Sequence, residues 1–388
     1  MKQGLVSWLL VIFITHPCLM VAVEPEPELV ISGLGNGYSS PAVSHDRFFI
    51  TGEKEGIGYL FAYDYLGNEL WKTTCGKEWI TSYRGSRASP VVIGNQVYTV
   101  SGMGEITCHS ADNGKRLWKA GMIEDLHGVN AVFGYSMPVT IEGERIYCIP
   151  GGPDTNIACL DRFTGKIIWT SAGNGEPPGY VAPLIITHNG LKILIVYSEL
   201  AMHGLDAETG DLLWTFDLAF KGEVPCNKPV YSEGFLYLVT GPGNGAVKFE
   251  ISKDGASLKK VWSNIQFDTY FGGFVKIGDY LYGSSQSLRK WTSISAETGK
   301  PAGSLSFRVG TTVAADEELV LYNQNGEVAI VKPDRGNMTV LRSFSVTEGT
   351  NEHFSHPVIA AGKLFIRHGE TLLVYNFRQL LEGWIRGR

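Results

Sequence analysis

The chain has 388 residues, 19% charged and 11% aromatic, with a formal net charge of −6. That length fits one large repetitive domain or two ordinary ones. Low charge and many aromatics suit packed strands, and the acidic balance argues against nucleic acid or an anionic membrane surface as a partner.

The first residues read as a targeting segment. Lys2 supplies a short positive start, Leu5 to Ile14 is apolar, and Met20-Val21-Ala22 offers a small residue before a cleavage point. The expectation is a signal peptide over residues 1–22 and an exported protein, periplasmic or extracellular. A retained anchor and a lipid on Cys18 are the alternatives. Thr15, His16 and Pro17 interrupt the apolar run, and Pro17 is a poor neighbour for a lipidated cysteine. No later run is long enough to span a bilayer. Residues 23–28, with Val23-Glu24-Pro25-Glu26-Pro27, read as a stiff acidic linker. Beyond residue 22 the cysteines are Cys75, Cys108, Cys148, Cys159 and Cys226. Their spacing does not make a zinc site. Cys148 and Cys159 flank one turn and form the candidate disulfide, with two buried small side chains as the alternative.

From Leu29-Val30-Ile31 onward the chain cycles. Each cycle opens on a short lead-in such as Ser39-Ser40-Pro41 or Ala88-Ser89-Pro90. A strand such as Gln96–Val100, a glycine-rich loop and a strand such as Glu105–Cys108 follow. An Asp/Asn/Gly turn and a strand with tryptophan close the unit. The turn glycines are Gly67, Gly114, Gly165, Gly210, Gly255, Gly299 and Gly336, and the tryptophans are Trp71, Trp118, Trp169, Trp214 and Trp262. Successive tryptophans are 47, 51, 45 and 48 residues apart. Four strands fit each period, and a period of ~40–50 residues predicts a β-propeller. Further lead-ins at Ser136-Met137-Pro138, Val181-Ala182-Pro183, Asn227-Lys228-Pro229, Phe271-Gly272-Gly273, Gly310-Thr311-Thr312 and Ser355-His356-Pro357 bring the total to eight. The predicted fold is an all-β, eight-bladed propeller of four-stranded antiparallel blades over residues 29–388, expected as a monomer. The last unit has three clear strands, ending at Leu372–Tyr375. Leu29-Val30-Ile31 would supply its fourth and close the ring; the tail Gln379–Arg388 is the alternative.

Leu160-Asp161-Arg162-Phe163-Thr164-Gly165-Lys166-Ile167-Ile168-Trp169 and Leu205-Asp206-Ala207-Glu208-Thr209-Gly210-Asp211-Leu212-Leu213-Trp214 resemble the pyrroloquinoline-quinone-type propeller repeat. That superfamily includes quinoprotein alcohol dehydrogenases and BamB-like outer-membrane assembly lipoproteins. The resemblance covers residues 29–376 and implies eight blades, with each tryptophan packed between blades. Its enzymes carry adjacent cysteines beside the quinone, an Asp base, and a Glu/Asn/Asp set for calcium. Here there is no Cys-Cys pair. Gly151–Asn156 and Gly241–Gly245 read as inter-strand loops rather than as a calcium site and a phosphate cradle.

Function is therefore sought in the loops that join blades, because a rigid scaffold gathers them on one face. Those loops supply a predicted binding funnel of Arg84, Arg87, His127, Asn130, Tyr135, Tyr180 and His353. Arg84, His127, Tyr135 and His353 are expected nearest the axis. The alternative is that these groups satisfy one another and channel waters. The expected function is a non-catalytic scaffold that binds a small molecule or protein at the funnel, with no cofactor. A pyrroloquinoline-quinone-dependent oxidoreductase with calcium is the second reading and an outer-membrane protein assembly factor the third.

Overall fold

The structure, a computed structural model, describes residues 24–218, 226–270, 272–315 and 317–385. The signal segment 1–22 lies outside them. The described strands form eight four-stranded antiparallel sheets. Blades one to seven run over 42–77, 91–121, 140–171, 184–217, 230–264, 274–305 and 310–345. Blade eight takes Val358–Ala360, Lys363–His368 and Thr371–Asn376, and Leu29–Ile31 is its outer strand. Leu29, Val30 and Ile31 pair with Val374, Leu373 and Leu372, so the N-terminal strand closes the ring. The competing tail is instead the helix Phe377–Ile385. The acidic linker also docks at its end: Glu28 accepts from Lys363 Nζ at 2.5 Å and Asn376 Nδ2 at 2.9 Å.

Strand composition follows position. Second and third strands such as Arg47–Lys54 and Glu105–Ser110 are buried on both faces along their middles, so their apolar residues do not simply alternate with exposed ones. Outer strands such as Glu69–Lys77 mix exposed and covered positions. The turns work as their residues require. Asp161 Oδ1 accepts from the Phe163 and Thr164 amides at 3.1 and 2.8 Å, and from Thr164 Oγ1 at 2.7 Å. Gly114 has φ +70°, and a Cβ there would lie 2.5 Å from Trp71 Cε3. Glycine thus serves both the turn and the docking of the preceding blade's indole.

Trp71, Trp118, Trp169 and Trp262 all dock on the next blade's turn, against Gly114, Gly165, Gly210 and Gly299. Trp71 Nε1 donates to Ala111 O at 3.0 Å, and Trp118 Nε1 to Arg162 O at 2.9 Å. Trp214 departs from the expectation. Its cross-strand partner is Gly204, and a Cβ at 204 would lie 2.1 Å from Trp214 Cε2. Without a side chain beneath it, this indole lies on its own sheet. The other four face Ala62, Cys108, Cys159 and Lys248 across the strand, and those side chains deny them that resting place. At the closing blade Leu29 takes the tryptophan's place against Gly67.

The Cys148–Cys159 disulfide is corrected: both cysteines are free. Tyr147 is opposite Cys159, and Cys148 is opposite Ala158. A one-residue offset puts the two thiols on opposite faces of the sheet. They fall in separate apolar clusters, and burial pushes both thiols up.

Candidate functional site

The first strands of neighbouring blades touch, as Ala42–Val43 does Val91–Ile93, so they surround the axis. The blade-to-blade segments gather on the face opposite the Asp-Thr-Gly turns, because strand direction alternates within each blade. Among those described throughout, the longest are residues 78–90, 122–139, 172–183 and 346–357. With Tyr38, which stands between the closing strand and blade one, they build an aromatic arc. Phe354 lies 5.9 Å from Tyr38 and 6.1 Å from Tyr83, centroid to centroid. Tyr83 continues to Phe133 at 6.3 Å, and Phe133 to Tyr180 at 6.0 Å. Tyr83, Val132 and Phe133 are exposed at 55%, 66% and 39% of their surface, large values for apolar groups held on ordered backbone.

Polar contacts fix the arc. Tyr38 donates to Glu352 Oε2 at 2.5 Å, and the Phe133 amide donates to the Tyr180 hydroxyl at 2.9 Å. Arg87 donates to the backbone carbonyls of Phe133, Ser82 and Tyr83. Burial pushes its guanidinium pKa down, while Glu78 pulls it up.

The other funnel candidates have different roles. Arg84 forms a two-point ion pair with Glu53, at 2.8 Å from Nε and 2.7 Å from Nη2. Burial would raise the Glu53 pKa, but Arg84, the Gly56 amide and Asn36 together hold it below the usual range. His127 is exposed at a left-handed φ of +56°. Asn130 donates weakly to Met103 Sδ at 3.8 Å, and its Oδ1 is buried without a protein partner. Tyr135 is fully buried, with its hydroxyl on Pro150 O. His353 accepts from or donates to Tyr322 Oη at 2.5 Å and stacks on His368 at 3.7 Å. Burial and then His368 push its pKa down to about 4. Of the seven, Arg87 and Tyr180 contact the arc.

Sequence reasoning missed Tyr38, Phe133 and Phe354. A signal existed for two of them: Tyr38, Tyr180 and Phe354 each stand three residues before a proline that directly precedes a first strand. Tyr135 has the same spacing to Pro138, but its strand starts at Thr140, one residue later. That single-residue slip turns Tyr135 into the interior.

Beneath the arc is Glu78, 4% exposed. Its Oε2 accepts from the Gly102 amide at 2.7 Å, while Oε1 is buried without a protein partner. Burial pushes its pKa up to about 7. The sign follows from linkage. Between about pH 4.5 and pH 7 the unfolded chain has released this proton and the folded one retains it, so stability falls as pH rises. The loss should reach about 3 kcal/mol above pH 7. Glu78→Gln should flatten that slope in urea melts taken from pH 5 to pH 8; an unchanged slope would show that Glu78 ionises freely.

A hydrogen-bonded chain joins half-buried Glu176 and exposed Thr215 through buried Ser198 and His203. Ser198 Oγ donates to Glu176 and lies 3.1 Å from His203 Nε2, whose Nδ1 is 3.1 Å from Thr215 Oγ1. The carboxylate sits on the serine rather than behind the imidazole, so this is not the relay that activates a serine. Two clefts, of about 570 and 330 Å³, lie between blades one and two around Thr74 and Met103, and beside blade six around Phe267 and Thr292. Neither is lined by the arc. Among the described residues no three His, Cys, Asp or Glu side chains converge as metal ligands, and no helix is long and apolar enough to cross a membrane.

The family model described as outer membrane protein assembly factor BamB matches residues 56–302 and 153–386. A tetrathionate hydrolase of Acidithiobacillus ferrooxidans is 25% identical over 224 residues, 53% of this chain and 42% of that protein. The quinoprotein alcohol dehydrogenase PedH of Pseudomonas putida is 26% identical over 155 residues, 37% of this chain and 24% of that one. The chain thus matches less than half the length of either curated relative. Among solved structures, BamB from Moraxella catarrhalis superposes with a TM-score of 0.65 at 15% identity, covering 90% of this chain and 97% of that one. The computationally designed Ika8 protein gives 0.62 at 12% identity, covering 91% and 99%. With eight closed blades and a family model spanning residues 56 to 386, the chain belongs to the BamB-like, pyrroloquinoline-quinone-type β-propeller family.

Proposed function

We propose that this protein is an exported scaffold that binds a protein partner through the loop face, without chemistry of its own. The observation that carries the reading is the arc Phe354–Tyr38–Tyr83–Phe133–Tyr180. Aromatic side chains dominate interface energetics, and these are pre-ordered, so little entropy is lost when a partner covers them. An open apolar rim suits a macromolecule better than an enclosed small ligand. The family description, an outer-membrane protein assembly factor, favours a protein as partner.

The quinone reading fits the residues less well. Calcium needs several converging oxygen ligands, whereas the residues directly before the prolines that lead into first strands, Ser40, Ser89, Met137, Ala182, Lys228 and His356, include no carboxylate. Protein mixed with pyrroloquinoline quinone and calcium should show no cofactor absorbance and no dye-linked alcohol oxidation; reproducible turnover would overturn the scaffold reading.

The direct test removes the rim. A Tyr83→Ala/Phe133→Ala variant should lose roughly 30-fold or more in affinity for a purified partner, about 2 kcal/mol or above. Leu117→Ser, on the outer edge of blade two, should bind as the parent does. Equal binding by all three proteins would remove the loop face from the account.

A further inference from the structure

The loop 346–357, which brings Glu352 and Phe354 to the arc, lies on the hairpin that joins the second and third strands of blade eight. Contact between them is close: a Cβ on Gly369 would fall 2.0 Å from Thr350 O. One side chain of that hairpin ties the loop down. His368 is 7% exposed, with Nδ1 at 2.7 Å from Glu348 O and Nε2 at 2.9 Å from Asn351 O. Asn351 stands at a left-handed φ of +68°. A non-glycine residue rarely holds that conformation unless its surroundings impose it.

The two acceptors set a requirement on the ring between them. A backbone carbonyl accepts hydrogen bonds and cannot donate them, so each ring nitrogen must supply an N–H. Imidazolium has two. Neutral imidazole has one, and its other nitrogen turns a lone pair on a carbonyl oxygen. The other histidines buried in the blades face no such demand. His109 Nε2 meets Thr107 Oγ1, His188 Nδ1 meets Tyr231 Oη, and His203 meets the Ser198 and Thr215 hydroxyls. A hydroxyl donates or accepts, so a neutral ring satisfies each of them.

The charged and titratable neighbours leave the clamp to His368. His353 of the loop stacks on it at 3.7 Å and has the Tyr322 hydroxyl of blade seven on Nδ1, which a neutral ring satisfies. The loop carboxylates are engaged elsewhere, Glu348 by Thr347 Oγ1 and Glu352 by Tyr38. Arg367, the preceding residue, points to the opposite face of the strand, where it bonds Ser39 and Thr51.

We propose that His368 is a proton-operated clamp on the loop face. With hydrogen on both ring nitrogens it fastens the loop 346–357 and completes the arc at Phe354; loss of one proton releases that end of the arc. The consequence for a partner, weaker binding as pH rises, rests on the loop face being the binding face; the clamp does not.

The test uses the full chain with nitrogen-15 in its histidine rings and 4-fluorophenylalanine at position 354. Between about pH 5.5 and pH 8.5, the span in which histidine changes charge, the His368 ring should pass from two N–H groups to one. The fluorine resonance should shift with the same midpoint. His368→Gln, which offers no second donor in that geometry, should hold the fluorine resonance at one position across the range. His353→Phe and Glu78→Gln should keep the shift, which separates His368 from the two other groups that could titrate. Both spectra are read without a partner, so the clamp stands or falls apart from the loop-face reading. An unchanging number of N–H groups on His368 over this range, a fluorine shift that persists in His368→Gln, or one that disappears in Glu78→Gln would overturn the proposal.

Discussion

Arg367→Met should lower the unfolding free energy by about 3–5 kcal/mol and loosen the ring at its seam. Arg367 is 1% exposed and reaches from blade eight into the segment that begins blade one. Its Nε donates to Gly369 O at 2.8 Å, Nη1 to Ser39 Oγ at 2.6 Å and Thr51 O at 2.5 Å, and Nη2 to Gly35 O at 3.2 Å. Among the described residues no carboxylate touches it, and burial pushes its pKa down to about 9, with Glu78 and Tyr38 opposing. Methionine fills much of the volume but leaves buried carbonyls at about 1–3 kcal/mol each in part unsatisfied. Arg367→Lys should recover little, since one ammonium does not reproduce the planar fork. Hydrogen exchange should show faster opening of Leu29–Ile31 and its neighbours before the rest of the ring. A variant with parental stability and exchange would show that the closing strand alone holds the seam.

Trp214→Ala should cost about 3–5 kcal/mol, as large-to-small changes of buried aromatics do. Trp214 is 8% exposed and belongs to a cluster with Ile193, Met202, Leu236 and Phe249, which joins blades four and five. Partner binding should change only through the folded fraction. Urea melts would measure the first, and titrations at low temperature, where the variant is folded, the second. A stable Trp214→Ala protein that had lost binding would place function in the repeat itself.

The propeller was legible because its specification is local and repeated. Asp161, Thr164 and Gly165 make the same turn wherever they recur, and the tryptophan spacing counts blades. Closure by Leu29–Ile31 followed from the missing strand. What escaped was long-range. Gly204 decides where Trp214 lies, yet the two are brought together only by strand register. Tyr135 looked like Tyr180 in sequence, and a strand start one residue later separates a buried side chain from a rim side chain. Arg84 looked like a ligand contact, and its bond to Glu53 runs from the segment after blade one back to that blade's second strand. The aromatic arc is assembled from five segments that are far apart in the chain, so composition alone did not reveal it.

The central claim is that the repeat builds the ring and the loop face does the binding. A photo-crosslinking amino acid at position 83, compared with one at position 117 on the outer edge, tests it most directly in cells expressing the full chain. The account predicts a discrete adduct from position 83, lost on Phe133→Ala, and none from position 117. Adducts from position 117 with none from position 83 would contradict it.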